Sequence, residues 1–276
     1  MALMIDDVRY FIKVSEVLNI TKASQMIGVS QPTLSYAIKR LEHYLGGELL
    51  IRLKNGIQLT KLGEEFKRRA YHLLHEWEQV QNLTLSSSGL SQAKYTIAIH
   101  PSVALYTIPS FMPALQYELP SLNVSFIHGL SREMTEKVIH WEADFGIVVN
   151  PLQHPDLVIS KLFQDEVTIF YGQHAQHKLI YDNNLAQSQH ILKKIYNQMT
   201  FDGIVHSANL EVVAKLTSLL FGYGILPARV ATQYEHLKKL KNAPTFKDEI
   251  CLIYRPEKHN NSTSKKIIHI LKTAFA

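Results

Sequence analysis

The sequence predicts a multidomain α/β fold, with a short helical start, one long helix and a larger region in which strands and helices alternate. Three observations support this prediction. The chain has 276 residues, more than one typical domain. Glycines interrupt the apolar helical pattern before residue 60, whereas residues 64–88 contain neither Gly nor Pro. From Lys94 onward, β-rich runs alternate with helical ones, which indicates βαβ units on a mainly parallel sheet.

Composition excludes several classes of protein. Hydrophobic residues make up 46% and charged residues 19% of the chain, which is typical of globular domains. No apolar run approaches the roughly 20 residues of a membrane span, and Asp6 and Asp7 stand where a signal peptide would be basic and then apolar. We therefore expect a cytoplasmic protein with no membrane partner. The single cysteine, Cys251, cannot form an internal disulfide and is interpreted as a small apolar strand residue.

The first three predicted helices cover Asp6–Leu18, Thr21–Ile27 and Ser30–Leu45, each with its first residue as the N-cap candidate. Gly28 and Gly46 follow the second and third helices, where left-handed C-caps are expected. Only two residues join these helices. So short a connection forces them to cross steeply, which predicts a helix-turn-helix.

A hairpin is predicted directly after the third helix. The apolar runs ELLIRL and IQLT flank Lys54-Asn55-Gly56, and Asn-Gly between such runs is a strong hairpin signal. Residues 1–61 thus predict a winged helix-turn-helix. Between Thr21 and Arg69, nine basic side chains outnumber four acidic ones, an excess that equals the net charge of +5. A basic segment of this kind is compatible with nucleic-acid binding.

The third helix has an apolar stripe and an opposite polar face. Its polar side chains suit duplex DNA: Gln can pair with adenine, Ser and Thr can reach base edges or phosphate, and Lys and Arg neutralise phosphate. Taken alone, this face could equally be a solvated surface. The candidate DNA-contacting residues are Gln31, Pro32, Thr33, Ser35, Tyr36, Lys39 and Arg40 of the helix, with Arg52 and Lys54 of the hairpin.

Residues 62–89 predict a linker helix followed by a hinge at Ser86–Gly89. Its apolar positions recur at alternating spacings of four and three, as in a coiled-coil seam. We predict that this seam pairs with a second copy of the chain. The alternative is an amphipathic helix that packs on its own domain. The predicted dimerisation residues are Phe66, Leu73, Trp77 and Val80.

Residues 90–276 predict two α/β subdomains, the first from about 90–162 plus 245–276 and the second from 163–244. Crossovers between such subdomains create a cleft, and clefts at strand ends and helix N-termini bind small molecules. Helix N-termini favour anions, so an anionic or polar metabolite is expected. For the serines, ordinary helix capping is the alternative role. The candidate effector-binding residues are Ser102, Ser131, Val149, Asn150 and His206.

No metal, cofactor or catalytic site is predicted. Fourteen histidines include two pairs spaced by three, His72 with His75 and His174 with His177. Neither pair has a nearby cluster of Cys or carboxylate side chains at metal-site spacing, so surface histidines are expected. The sequence offers no phosphate-binding glycine loop, nucleophile elbow or paired catalytic carboxylates. An enzyme is therefore not predicted.

Two stretches of the sequence carry recognisable motifs. In the first, from Ile5 to Gly63, they are Ala23-Ser24, Ser30-Gln31-Pro32, Arg40-Leu41-Glu42, Leu59-Thr60 and Gly63, and further on they are Asp144-Phe145-Gly146-Ile147 and Gly222 to Pro227. The first stretch resembles the DNA-binding domain of the LysR family of bacterial transcriptional regulators, and the rest of the chain is similar to the family's effector domain. This resemblance implies a periplasmic-binding-protein-like C-terminal fold and a homodimer that assembles into a homotetramer.

The resemblance also implies roles for individual residues. Gln31, Pro32 and Ser35 would approach base edges, and Arg52 would contact the DNA backbone or the minor groove. Three departures from the family pattern limit this inference. They are Tyr36 where Arg is usual, Asn55-Gly56 in place of a basic pair, and Leu220 where glycine is common.

Together these features predict a transcriptional regulator that binds double-stranded promoter DNA under the control of a small-molecule effector. The main alternative is a small-molecule-binding protein or enzyme with an N-terminal oligomerisation domain. Specific, salt-sensitive duplex binding would separate the two. A third possibility, an exported solute-binding protein, is opposed by the lack of a signal peptide in this sequence.

Overall fold

The computed structural model describes residues 4–53, 56–86, 94–196 and 199–275. These residues form two compact units, which we treat separately. The N-terminal unit takes residues up to Lys94 together with Ile139–Ala143, and the C-terminal unit takes the remainder. Within the described ranges, no helix is both long and apolar enough to span a bilayer.

The N-terminal unit has the predicted order of helices and hairpin. Its elements are α1 (Ile5–Val17), α2 (Ile20–Ile27), α3 (Gln31–Leu45), β1 (Leu50–Leu53), β2 (Gly56–Leu59) and α4 (Lys61–Ser86). The hairpin strands pair antiparallel with Leu50 opposite Leu59. Lys54 and Asn55, at the predicted turn, lie outside the described residues.

One of the three predicted N-caps is correct, and two are wrong. Ser30 caps α3, because its hydroxyl accepts from Thr33 N at 3.2 Å. α1 begins one residue before Asp6, with Met4 as the cap. α2 is capped by Asn19, whose side chain accepts from Lys22 N at 2.9 Å and so draws Thr21 into the helix. Asn is a stronger N-cap than Thr, which agrees with Asn19 as the cap.

Both predicted glycine C-caps are confirmed. Gly28 and Gly46 have φ of 81° and 72°, in the left-handed region. Glycine adopts this conformation without the steric cost that a Cβ would impose. The turn between α2 and α3 is therefore held at the backbone, which fixes the crossing of the two helices.

The start of α4 packs on the N-terminal core. The ring of Phe66 meets that of Phe11 edge to face, with centroids 5.1 Å apart, and Ala70 is buried in the same cluster. The first two turns of α4 thus help to complete the core of their own unit, with Phe66 partly buried against it, and a role of Phe66 in dimerisation stays a prediction. The N-terminal part of α4 therefore packs on its own domain, as in the alternative considered for this helix.

Thr60 and Gly63 fix the hairpin to the start of α4. The Thr60 hydroxyl donates to Glu48 O at 2.7 Å and accepts from Gly63 N at 2.9 Å. A Cβ on Gly63 would lie 2.1 Å from Leu49 O, which is far inside any van der Waals contact. These contacts give a physical reason for a Leu-Thr-x-x-Gly pattern at this point of the sequence.

The C-terminal unit alternates strands and helices. Its strands are β3 (Lys94–Ile99), β4 (Asn123–His128), β5 (Phe145–Val149), β6 (Val158–Tyr171), β7 (Lys178–Tyr181), β8 (Gly203–His206), β9 (Tyr223–Pro227), β10 (Lys238–Lys239) and β11 (Phe246–Tyr254). Its helices are α5 (Pro101–Glu118), α6 (Ser131–Ile139), α7 (Ala186–Ile195), α8 (Leu210–Ser218), α9 (Ala228–Ala231) and α10 (Ser262–Thr273), with a 3₁₀ turn at Pro256–Asn260.

Within the described residues these strands form one sheet, in the order β4-β3-β5-β11-β6-β9-β7-β8, with β10 beside β6. β3 with β5, and β7 with both β8 and β9, pair in parallel. The expected mainly parallel sheet is nevertheless wrong at the centre, where β11 and β6 are antiparallel to each other and to their outer neighbours. β6 leads the chain from the first group of strands to the second and β11 leads it back, so the two run in opposite directions. The predicted boundaries between the two α/β subdomains, at 162/163 and 244/245, stay a prediction.

Leu220, which has no role in the sequence interpretation, adopts a left-handed backbone with φ of 67°. A non-glycine residue pays roughly 1–2 kcal/mol for this conformation. We expect Leu220→Gly to raise the free energy of unfolding by about 1 kcal/mol in urea titrations. The matched control is Leu219→Gly, at a φ of −87°, where glycine relieves no strain and should lower stability. A Leu220→Gly variant no more stable than the Leu219→Gly variant would contradict this account.

Candidate DNA-binding face and effector cavity

The N-terminal end of α3 presents most of the predicted contact residues to solvent. Gln31, Pro32 and Thr33 are exposed in its first turn, while Leu34 and Ile38 on the opposite face are buried. Ser35 is half-buried, and Tyr36 and Lys39 are exposed one turn further on. The face is thus polar and accessible over its first three turns. Its dimensions suit a major groove, which admits one α-helix.

Arg40 is held away from this polar face. Its guanidinium forms an ion pair with Asp7 of α1, in which Nε donates to Oδ2 at 2.8 Å, and Asp7 is fully buried. This hydrogen bond raises the pKa of Arg40 above its usual value. In this structure the charge of Arg40 compensates a buried carboxylate and ties α3 to α1; its predicted contact with phosphate stays a prediction.

The hairpin brings one further predicted residue to the surface. Arg52 is exposed on β1, opposite Ile57 on β2, whereas Lys54 lies outside the described residues. Glu42 of α3 fixes this hairpin, since its Oε1 accepts from the backbone N of Leu49 at 2.8 Å and of Leu50 at 3.2 Å. The wing and α3 therefore have a defined mutual position.

The middle of α4 exposes an apolar stripe. Leu73, Trp77 and Val80 are 46%, 40% and 51% exposed, and their spacings of four and three place them on one face of the helix. The side chain of Thr84 and residues 87–89 of the predicted hinge lie outside what the structure describes. Ser86 is the last residue of α4.

The C-terminal unit contains a cavity of about 390 Å³. Four of the five predicted effector residues line it: Ser102, Ser131, Val149 and Asn150. His206 does not. It lies exposed on β8, with its ring 4.5 Å from that of Tyr181, because β8 is at the far end of the sheet.

The two serines have defined partners at the cavity wall. Ser102 is buried in the first turn of α5 and its hydroxyl is hydrogen bonded to Glu211 of α8. The Ser131 hydroxyl accepts from Val149 N at 3.0 Å, which joins α6 to the end of β5. His100 caps α5, since its Nδ1 accepts from Ser102 N at 3.3 Å, and burial lowers its pKa.

Sequence reasoning missed the acidic groups of this cavity. Asp165 on β6 and Asp248 on β11 both line it and are only 8% and 4% exposed. Burial raises the pKa of each carboxyl group above its usual range. A signal was available, since the chain places Asp-Glu directly before two buried apolar runs, at Asp165-Glu166-Val167 and Asp248-Glu249-Ile250.

Asn150 holds Asp248 in place. Its Nδ2 donates to Asp248 Oδ1 at 2.6 Å and its Oδ1 accepts from Glu249 N at 2.8 Å. Gln187 of α7 donates a further hydrogen bond to Asp248 at 2.9 Å. Asn150 also has a φ of 48°, a left-handed conformation that Asn tolerates better than most residues. This accounts for an asparagine at the end of β5.

The histidines and the single cysteine, considered above as metal ligands or reactive groups, are the remaining candidates. Among the described residues, no group of three or more His, Cys, Asp or Glu side chains is placed to hold a metal ion. Cys251 is buried on β11, and burial raises the pKa of its thiol to about 11. A thiol with so high a pKa carries little thiolate at neutral pH and is a poor nucleophile.

Residues 88–276 match the family described as "LysR substrate binding domain", and residues 5–64 match the "Bacterial regulatory helix-turn-helix protein, lysR family". The chain is 23% identical to the HTH-type transcriptional regulator EstR of Acinetobacter baylyi, over 97% of this chain and 95% of EstR. It is 28% identical to the Hca operon transcriptional activator HcaR of Escherichia coli, over 66% of this chain but only 60% of HcaR. Several other matched relatives are likewise covered over about half of their length.

Solved structures share the fold. ArgP from Mycobacterium tuberculosis superposes with a TM-score of 0.72 at 13% identity, covering 98% of this chain and 96% of ArgP. CbnR, described as a LysR family transcriptional regulator, gives 0.66 at 18% identity and covers 99% of both chains. The two family matches span nearly all of the sequence. The chain therefore belongs to the LysR family of bacterial transcriptional regulators.

Proposed function

We propose that this chain binds a specific DNA sequence through α3 and regulates transcription in response to a small molecule held in the C-terminal cavity. The observation that carries the first half is the exposed first turn of α3, in which Gln31 and Thr33 are accessible. Arg52 is exposed on the hairpin that follows α3. Side chains of these types supply base contacts and phosphate contacts respectively. CbnR, of similar fold, has also been solved in complex with its target DNA.

The second half is supported by the cavity. It offers about 390 Å³, within the range of sites that bind small molecules. Its wall combines apolar side chains with a few polar groups, among them Ser102, Ser131 and Asn150. Such a mixture supplies affinity through burial and orientation through hydrogen bonds. Nothing in this arrangement requires a bond to be made or broken, so we propose a sensor and not an enzyme.

We further propose that two copies pair through Leu73, Trp77 and Val80 of α4. An exposed stripe of two aliphatic side chains and one aromatic is costly in water and gains by pairing with its own copy. A dimer would present two copies of α3 to two half-sites, which is the usual way helix-turn-helix proteins extend their recognition sequence. From the family resemblance we further expect two such dimers to assemble into a tetramer.

The test begins with duplexes selected from random DNA by the purified chain. We expect Gln31→Ala to lose about 1–3 kcal/mol on the selected duplex and to relax preference at one base position. Its affinity for scrambled DNA should hardly change. Arg52→Ala should instead weaken binding to every sequence and reduce the salt slope by about one counterion. Fluorescence anisotropy over a range of salt concentrations measures both.

Lys265→Ala, at an exposed position of α10, is the matched control for loss of one positive charge. It should change neither preference nor salt slope. If the wild-type chain selects no duplex from random DNA, the proposed function is contradicted. If Gln31→Ala keeps the base preference of the wild type, the proposal that α3 lies in the major groove is contradicted.

A further inference from the structure

Asp165 and Asp248 face each other across two neighbouring antiparallel strands. In the register of β6 and β11, Asp248 is the direct partner of Asp165, and both line the cavity. Side chains in such opposed pairs lie on the same face, with Cβ atoms about 5 Å apart. Each carboxylate is more than nine-tenths buried. Like charges so placed repel each other, and their burial adds a desolvation cost.

No cation in the described chain compensates this pair directly. Asp248 accepts only from the neutral amides of Asn150 and Gln187. Asp165 accepts from the backbone N of Glu166 at 2.8 Å and of Arg229 at 3.4 Å. Within the described residues, neither carboxylate has a Lys, Arg or His nitrogen within 4.0 Å of it. Buried charges without a partner are rare in folded proteins.

The other charged groups near the cavity do not offset the negative charge of the two carboxylates. The Arg229 guanidinium acts on Asp165 from a distance and packs over the Phe163 ring at 4.2 Å. Glu211, behind Ser102, adds a third carboxyl group, and its buried Oε1 has no hydrogen-bond partner. Arg132 lines the rim, but its side chain is exposed and lies 3.5 Å from Glu136.

We propose that the small molecule bound in this cavity carries a cationic amine or guanidinium group, which sits between Asp165 and Asp248. The inference rests on the proposed function, and it names the ligand class of that same site. An apolar body would extend along Val103, Ile225 and Phe246, which line the same cavity. This ligand differs from the anionic metabolite that the helix N-termini suggest.

A divalent metal ion fits these residues less well than an organic cation. Hard cations take six or more oxygen ligands, and the amide group nearest Asp248 turns its N–H toward the carboxylate. The Asn150 oxygen is already occupied by Glu249 N at 2.8 Å. An ammonium or guanidinium group needs only the acceptor oxygens that two carboxylates provide, and its own N–H groups complete the contact.

The test uses the full chain with defined probes. Phenethylamine, tryptamine and agmatine are compared with phenylacetate, indole-3-acetate and glutarate, by thermal denaturation and titration calorimetry. At least one amine should stabilise the chain at about 10 mM, and the carboxylates should not. Asp165→Asn and Asp248→Asn should each weaken amine binding about 10- to 100-fold. Asp202→Asn, at an exposed position, is the control and should bind amines normally.

Stability of the free chain provides a second measurement that needs no ligand. A buried acid with a raised pKa destabilises the folded state as pH rises through that pKa. The titratable groups around this pair include Tyr106, which feels both carboxyl groups, and Arg229, which acts on Asp165; the Asp248→Asn substitution alters neither of them. This variant should therefore resist urea better than the wild type at about pH 8, and the difference should shrink toward about pH 5.

Each outcome is decisive. Stabilisation by a carboxylate but by no amine would overturn the ligand class and leave the proposed sensor function standing. Amine binding that survives both substitutions, or no amine binding at about 10 mM, would overturn it too, because we expect a cation held between the two carboxylates to bind with a Kd of about 1 mM or below. An Asp248→Asn variant no more stable than the wild type at about pH 8 would show that the carboxylate pair is compensated. Selection of no DNA duplex would overturn the proposed function itself, which the probes do not test.

Discussion

Replacing Trp77 with glutamate is expected to leave the chain monomeric and to lower its affinity for a two-half-site duplex by about 10²- to 10⁴-fold. Trp77 is the largest side chain of the exposed stripe on α4. Two carboxylates at a paired interface would face each other in an apolar setting, where ionised groups are costly. Without pairing, the two α3 helices bind independently and the gain in effective concentration is lost. Sedimentation velocity and fluorescence anisotropy measure the two effects.

Trp77→Phe is the matched control, since it keeps an aromatic ring and should stay dimeric with nearly normal affinity. Far-ultraviolet circular dichroism should show that both variants retain their helices, because the core around Phe11 and Ala70 does not include Trp77. A Trp77→Glu variant that remains dimeric and binds normally would place the interface elsewhere on the chain.

Local sequence signals predicted the N-terminal unit well. Each of its helices and its hairpin depends on residues close in sequence, such as Ser30 before α3 and Gly46 after it. The contacts that the sequence did not predict are those whose partner is distant along the chain. Arg40 has the character of a phosphate contact until Asp7, 33 residues earlier, is placed beside it. Phe66 continues the apolar seam of α4 in sequence, yet Phe11 takes it into the core.

In the C-terminal unit, prediction from the sequence was limited by weak signals at the starts of helices and strands and by the crossover topology of the sheet. β7 has only four residues, and α7 begins at Ala186 after Leu185, which offers no side-chain cap. The pairing of Asp165 with Asp248 joins strands 83 residues apart. Such contacts depend on which strands become neighbours and in which direction. A period of two in the sequence does not encode that choice. The sequence shows an acidic residue before each of the two apolar runs, but it does not show that the two carboxyl groups meet in one cavity.

Ser102→Trp is expected to abolish the response to ligand while DNA affinity stays within about threefold of the wild type. Ser102 belongs to the wall of the cavity and to the first turn of α5. An indole at this position fills space that a ligand would occupy, and a ligand changes activity only through its different affinity for two states of the protein. Because α3 belongs to the other compact unit, its own structure should be unaffected.

The measurement is DNA affinity and footprint length with and without the amine or carboxylate that best stabilises the wild-type chain. Ser110→Trp, at an exposed position of the same helix, is the control and should respond normally. Ser102 is buried and hydrogen bonded to Glu211, so its replacement also risks misfolding. Leu130→Trp addresses this, because Leu130 lines the cavity but is 43% exposed and leaves room for a larger ring. If both cavity variants fold and respond at normal ligand concentration, the sensor site lies outside this cavity.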